Sequence, residues 1–251
     1  MARGLALVVL GLLAGMVAAQ GKPREVTIRW HGQSFFQIES SRGTRIVLDP
    51  HLIESYGRKL VPADVVLISH LHNDHTQLTS VPNADKARVI YGLKPNERTK
   101  QPDWVPIDLT FKDVHIRSVP TYHDNVKGLE RGKNTVFVLD VDGVRIVHLG
   151  DLGHQLDDTQ LKKIGTVDVL MIPVGGVYTL NGSEARQVMA QLKPRQFVVP
   201  MHYGTTVYHD LLSADEFLEE QKNVKRLPGN KLTTEAGFRP PEPIIAVLKW
   251  Q

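Results

Sequence analysis

Six consecutive residues, His70-Leu71-His72-Asn73-Asp74-His75, carry three imidazoles and one carboxylate. They follow directly on Val65 to Ser69, a continuous apolar run that reads as a strand covered on both faces. In extended backbone, side chains two residues apart point the same way, so His70 and His72 can reach one ion together. Asp74 and His75, past a turn, can then face a second ion beside it. Three later residues have equivalent settings, each just after an apolar run: His123 in Val119-Pro-Thr-Tyr-His123, Asp151 in Ile146-Val-His-Leu-Gly-Asp151, and His202 in Val198-Val-Pro-Met-His202. Strand ends are where layered folds place their active sites. Taken singly, each of the three reads equally well as a hydrogen-bonded histidine or a turn-capping aspartate; beside the cluster they read as one set of metal ligands. The chain has no cysteine, which excludes disulfides and thiolate ligands. Nitrogen and oxygen donors without sulfur suit zinc, and also manganese or iron.

The elements that must hold these residues are mostly short strands. Val26 to Trp30, Phe35 to Glu39 and Arg45 to Asp49 read as a meander closed at Asp49-Pro50, followed by Val65 to Ser69. Further strands are expected at Arg88 to Tyr91, Val114 to Ser118, Thr135 to Asp140, Val144 to Leu149, Val169 to Pro173 and Gln196 to Pro200. Ser183 is expected to cap a helix running through Leu192, and Ser213 with Glu216 forms a candidate capping box for another reaching about Asn223. Sheets alternating with helices argue for α/β layers. Tyr91 to Thr110, with Pro95, Pro102 and Pro106, reads as a long surface loop and a candidate lid over a substrate.

With 251 residues, of which 41% are hydrophobic, the chain has material for one sizeable core. Its net charge of +3 is scattered, with no basic stripe, and aromatic residues make up 6%, so a nucleic-acid partner is not expected. Met1 to Arg3 supplies a positive start, Leu5 to Val17 an apolar stretch too short to span a bilayer comfortably, and Val17-Ala18-Ala19 a small-residue cleavage site. The expectation is a signal peptide over 1–19, with an uncleaved N-terminal anchor as the alternative, a mature domain over 20–251 with no membrane span, and a secreted or periplasmic location.

The pattern His70-x-His72-x-Asp74-His75, then His123, Asp151 and His202, resembles the ligand signature of the metallo-β-lactamase superfamily. Trp30-His-Gly-Gln-Ser-Phe-Phe-Gln-Ile38, Val47-Leu-Asp-Pro50, His148-Leu-Gly-Asp151, Ile172-Pro-Val-Gly-Gly-Val-Tyr-Thr179 and Val199-Pro-Met-His-Tyr-Gly-Thr205 are similar to the branch that includes the ascorbate-6-phosphate lactonase UlaG and N-acylphosphatidylethanolamine phospholipase D. The resemblance covers roughly residues 26 to 210. It implies a four-layer αβ/βα sandwich and two divalent ions. His70, His72 and His123 would hold the first, Asp74, His75 and His202 the second, and Asp151 would bridge them. Gln33 stands where this branch often has His, and Leu152 where it often has Thr or Ser, which leaves substrate contacts open.

Two ions roughly 3.5 to 4 Å apart hold a bridging water, bring its pKa toward neutrality and polarise a carbonyl or phosphoryl oxygen. Asp74 is the candidate to orient that water and handle its proton. The expected activity is hydrolysis of a small ester, lactone or phosphodiester. A true β-lactamase is one rival, disfavoured by the bridging carboxylate that the resemblance implies at Asp151; a non-catalytic metal- or ligand-binding protein is another. Asp49 is a candidate to fix the tautomer of a ligating imidazole, and reads equally well as a turn residue before Pro50. His154, Tyr178 and Tyr203, close in sequence to ligands or to the Gly175-Gly176 loop, are candidate substrate contacts. His31, His51, His115 and His209 have no clustered partners and read as structural or exposed.

Overall fold

A computed structural model describes residues 24–99, 101–219 and 221–251. The expected signal peptide over 1–19 lies outside them. In chain order the elements are strands β1 (Glu25–Trp30), β2 (Phe36–Glu39), β3 (Arg45–Leu48), β4 (Val65–Ile68), β5 (Arg88–Tyr91), β6 (Leu93–Lys94), β7 (Asp103–Trp104), β8 (Asp108–Phe111), β9 (Val114–Tyr122), β10 (Lys133–Val141) and β11 (Val144–His148), helix α1 (Asp158–Ile164), β12 (Val169–Pro173), α2 (Gly182–Leu192), β13 (Phe197–Met201), α3 (Asp215–Leu218), and strands β14 (Val224–Arg226), β15 (Lys231–Glu235) and β16 (Ile244–Val247).

They form two large sheets, ordered β15-β1-β2-β3-β4-β5 and β14-β16-β13-β12-β11-β10-β9-β8. The period-2 rule explains how the first sheet faces two ways. Ile46, Leu48, Val65 and Leu67 join the large core between the sheets, whereas their neighbours Val47, Val66 and Ile68 join a smaller core with Phe35, Val61, Ala63 and Val81 on the other side. β4 is therefore buried along its whole length, as its unbroken apolar run predicts. The second sheet is covered by α1 and α2, which follow β11 and β12 and lead into parallel neighbours. The outer face of the first sheet carries 3-10 turns, among them Leu78–Ser80, and no α-helix among the described residues. No helix among them is long and apolar enough to cross a membrane.

Local chemistry departs from expectation at the helices. Asn181, not Ser183, caps α2, its side chain accepting from the Glu184 amide while the Glu184 carboxylate accepts from the Asn181 amide. A second capping box, Asp157 with Gln160, starts α1, an element not anticipated from the sequence. The expected Ser213–Glu216 box does not form. Ser213 donates to Asp215 at 2.8 Å, and the Glu216 carboxylate instead accepts the Gly182 amide at 2.9 Å; α3 runs only from Asp215 to Leu218. The stretch Tyr91 to Thr110 is not one open loop: β6 pairs with β7, β8 edges the second sheet, and Trp104 donates its indole N–H to the Asn134 carbonyl at 2.9 Å.

Candidate metal centre

β4 ends at Ile68, and the next two residues turn into the site. The buried Asp49 carboxylate accepts from the Ser69 amide at 2.7 Å and from the Ser69 hydroxyl at 2.6 Å. The same hydroxyl lies 2.9 Å from Nδ1 of His70. A 3-10 turn over Asn73–His75 then swings His75 back under the strand end, where it is completely buried. His123 leaves the end of β9, Asp151 follows β11, and His202 follows β13.

The donor atoms of His70, His72 and His123 lie within 4.8 Å of one another, and so do those of Asp74, His75 and His202. Asp49, His70 and His75 make a third such group. Both Asp49 oxygens already accept hydrogen bonds from Ser69, and Oδ2 also lies 3.1 Å from Nδ1 of His75, which makes Asp49 a support for the imidazoles behind the cluster.

Asp151 lies between the two triads. Its Oδ2 is 3.0 Å from Nε2 of His202, 3.2 Å from those of His75 and His123, and 3.8 Å from that of His70. Its Oδ1 accepts from the Ser34 hydroxyl at 3.2 Å, and its amide donates to Asn134 Oδ1 at 3.0 Å. Asn134 in turn donates to Thr121 and to the Leu149 carbonyl, tying the ends of β9, β10 and β11 together. Gly150 is required here. Its φ is +55°, and a Cβ would collide with the Asn134 amide oxygen and with Ser69. Gln33, Asp49 and His202 also hold left-handed backbone, with φ of 49°, 44° and 49°, strain of the kind that gathers at functional sites.

The electrostatics follow from this crowding. Burial opposes charge on Asp151, but the imidazoles of His202 and His75 outweigh it and hold the carboxyl well below the usual carboxylate range. Burial likewise opposes charge on Asp74, and contact with His75 holds its carboxyl low. His75 is pushed the other way: burial disfavours its cation, but the Asp151 carboxylate raises its pKa well above the ordinary histidine value. His70 is pushed down by burial and by His75, and His72 by burial and by His123.

This donor set fits bound cations. One carboxylate oxygen facing four imidazole nitrogens cannot be satisfied by hydrogen bonds alone: even with every ring in its neutral Nε2–H tautomer, four donors would converge on an oxygen with two lone pairs. Nε2 of His75, fully buried, makes no hydrogen bond among the described residues. Two ligand atoms roughly 2.0 to 2.1 Å from a shared tetrahedral ion stand about 3.3 Å apart, close to the 3.0–3.8 Å separations around Asp151.

A cavity of about 430 Å³ opens onto the cluster, walled by His72, Asp74, His123, Asp151 and His202 together with Glu130, Arg131 and Tyr178. Of the three expected substrate contacts, only Tyr178 lines it. Tyr203 turns away from its neighbour His202, stacks on Trp30 with ring centroids 5.3 Å apart, and lines a different cavity with Trp250 and Arg226. His154 is occupied by the backbone, accepting the Tyr122 amide at 3.0 Å through Nε2 and meeting the Gln155 carbonyl at 2.7 Å through Nδ1. No described residue of the expected lid, Tyr91 to Thr110, lines the cavity. Sequence reasoning missed Ser34 and Arg131, and it left the role of Gln33 open: Gln33 donates to Asp74 at 3.2 Å. Ser34 and Gln33 lie 117 and 41 residues from their partners, and no local spacing signals such pairs.

The family profile described as the beta-lactamase superfamily domain matches residues 27–202. A UPF0173 metal-dependent hydrolase of Thermococcus onnurineus is 32% identical over 196 residues, which cover 72% of this chain and 85% of the relative. The crystal structure of a proposed Zn-dependent hydrolase of the metallo-β-lactamase superfamily from Thermotoga maritima superposes with a TM-score of 0.66 at 34% identity, covering 89% of this chain and 98% of that one. Igni18, a metallo hydrolase of the archaeon Ignicoccus hospitalis, shares the fold with a TM-score of 0.56 at 22% identity, covering 84% of this chain and 99% of that one. The matched span runs from β1 to His202 and takes in the whole histidine and aspartate cluster; the chain belongs to the metallo-β-lactamase superfamily and is one of its metal-dependent hydrolases.

Proposed function

We propose that the cavity beside Asp151 hydrolyses a small ester, lactone or phosphodiester with the help of two divalent ions, zinc being the best match to the donors. His70, His72 and His123 would hold one ion and Asp74, His75 and His202 the other, with Asp151 shared between them. The observation that carries this reading is the single Asp151 oxygen within 3.0–3.8 Å of four imidazole nitrogens drawn from both triads. A bound ion pair supplies activated water and polarises the scissile oxygen. The chain's own residues do the rest. Asp74, steadied by the Gln33 amide and facing the cavity, accepts and returns the proton of the attacking water. Ser34 and Asn134 keep Asp151 between the triads. Tyr178 contributes a wall against which substrate is positioned. The cavity volume of about 430 Å³ favours a small substrate.

Elemental analysis after equilibrium dialysis, run beside p-nitrophenyl ester, lactone, bis(p-nitrophenyl) phosphate and nitrocefin reporters, tests the reading. About two metals per chain with ester, lactone or phosphodiester turnover supports it; turnover of nitrocefin alone would make the chain a β-lactamase, and two metals with no turnover would leave a binding protein. We also propose export, on the strength of the charged, apolar and small-residue pattern of residues 1–19. Mass spectrometry of chain expressed with its full N-terminus and recovered outside the cytoplasm should find Gln20 first.

A further inference from the structure

The cavity has one cationic wall whose construction the ligand set does not explain. Asp124, next to His123, is buried, and its carboxylate accepts four backbone amides: Val126 at 3.0 Å, Gly128 at 2.7 Å, Glu130 at 3.0 Å and Arg131 at 2.7 Å. Four main-chain donors on one carboxylate hold the loop between β9 and β10 in a single shape. What that shape presents to the cavity is Arg131, the single lysine or arginine that lines it among the described residues.

Arg131 is held from the far side too. One Nη2 hydrogen donates to the Val177 carbonyl at 3.0 Å, and the guanidinium carbon lies 5.6 Å from the centre of the Tyr178 ring. Its contact with Glu130 is 3.4 Å long, and the Glu130 side chain is 63% exposed, so the pair neutralises little of the charge. A guanidinium carries five N–H donors, and among the described residues two of its nitrogens have partners. The Tyr178 hydroxyl beside it makes no hydrogen bond among the described residues. Unspent donors on a braced, planar cation suit an oxyanion, which takes two parallel N–H bonds from such a fork.

We infer that Arg131, with Tyr178 beside it, binds an anionic group of the substrate away from the bond that is broken, so that the site selects small esters, lactones or phosphodiesters that carry such a group at a distance from the scissile bond. This rests on the reading of the cavity as the reaction site. In that role Arg131 is a specificity residue: it grips the constant end of the substrate while the reacting end meets the His and Asp cluster. A purely structural role, as a strut between two loops, predicts no preference for charge.

The test is calorimetric and needs no turnover. Zinc-loaded protein is titrated with succinate, glutarate and adipate, each compared with butyrate, which has one carboxylate to place on the metals and none for Arg131. The wild-type chain should bind at least one of the dicarboxylates about ten-fold or more tighter than butyrate, the gain expected of one charge-assisted contact. R131Q should bring that ratio to within about two-fold while zinc content and butyrate affinity stay unchanged, and R131K, which keeps charge without the fork, should fall between. A wild-type ratio near one, a ratio preserved in R131Q, or an equal loss for butyrate and dicarboxylate would each overturn the inference. A wild-type dicarboxylate preference that R131Q abolishes, found without hydrolysis of any reporter, would instead overturn the hydrolytic reading and leave Arg131 as the anion-binding residue of the cavity.

Discussion

Replacing Asp49 with Asn changes one atom of a fully buried side chain and should weaken both of the proposed metal sites at once. The Ser69 hydroxyl has one proton, and it lies 2.6 Å from Asp49 Oδ2, a carboxylate that can only accept. Ser69 must therefore accept at its 2.9 Å contact with His70, which places the proton of His70 on Nδ1 and leaves Nε2 free to bind a cation. The same Asp49 oxygen lies 3.1 Å from Nδ1 of His75, an ion-pair contact whose negative charge favours the proton on that nitrogen. In D49N, Oδ1 still accepts the Ser69 amide, but the new NH2 faces Ser69 Oγ and His75 Nδ1. Ser69 is then free to donate to His70, which drives the His70 proton onto the nitrogen proposed to bind metal, and His75 loses the negative charge beside Nδ1. Groups that orient metal-binding histidines are worth 10–100-fold in affinity, about 1.4 to 2.8 kcal/mol for each ion. S69A removes the relay to His70 while leaving His75 against Asp49, so it should weaken one ion only. Competitive zinc titration against a chromogenic chelator resolves the two steps. Two unchanged affinities in D49N, or equal losses of both ions in S69A, would refute the tautomer argument.

On the proposed two-ion reading, D151N should lower metal content from about two per chain to one or less and abolish turnover, because the carboxylate between the triads is lost; inductively coupled plasma analysis of dialysed protein reads this directly. G150A should cost about 2 to 4 kcal/mol in urea unfolding, combining a left-handed φ of +55° with collision against Asn134 and Ser69, and should reduce activity further by displacing Asp151. His31, 8% exposed, titrates at about 4 because burial and the nearby Lys59 disfavour its cation. In the unfolded chain it binds a proton from about pH 6.5 downward, so its contribution opposes folding increasingly as pH falls from 6.5 to 4, by about 3 kcal/mol in all. Metal-free H31Q should therefore lose less stability than the metal-free wild type between pH 7 and pH 4 in urea titrations, and identical pH slopes would contradict the assignment.

The candidate ligands were legible because their chemistry is rare and their settings are local. Three imidazoles and a carboxylate in six residues, and single His or Asp residues immediately after apolar runs, are properties of the chain read along its length. β4, β12 and β13 were legible for a similar reason, since a strand covered on both faces must be apolar throughout. Competing signals within a few residues were decided by packing: Asn181 rather than Ser183 caps α2, and Glu216 serves the α2 N-terminus rather than its own helix. The direction of a side chain was beyond sequence reasoning where backbone is left-handed. His202, with φ of 49°, turns inward while Tyr203, its neighbour, turns onto Trp30, so adjacency to a ligand did not predict contact with the cavity. Composition and periodicity therefore specify which residues can bind metal and which strands end beside them. The meeting of Asp49 with His75, of Ser34 with Asp151 and of Arg131 with Tyr178 depends on how the two sheets and their loops close over one another, and only the folded chain decides that.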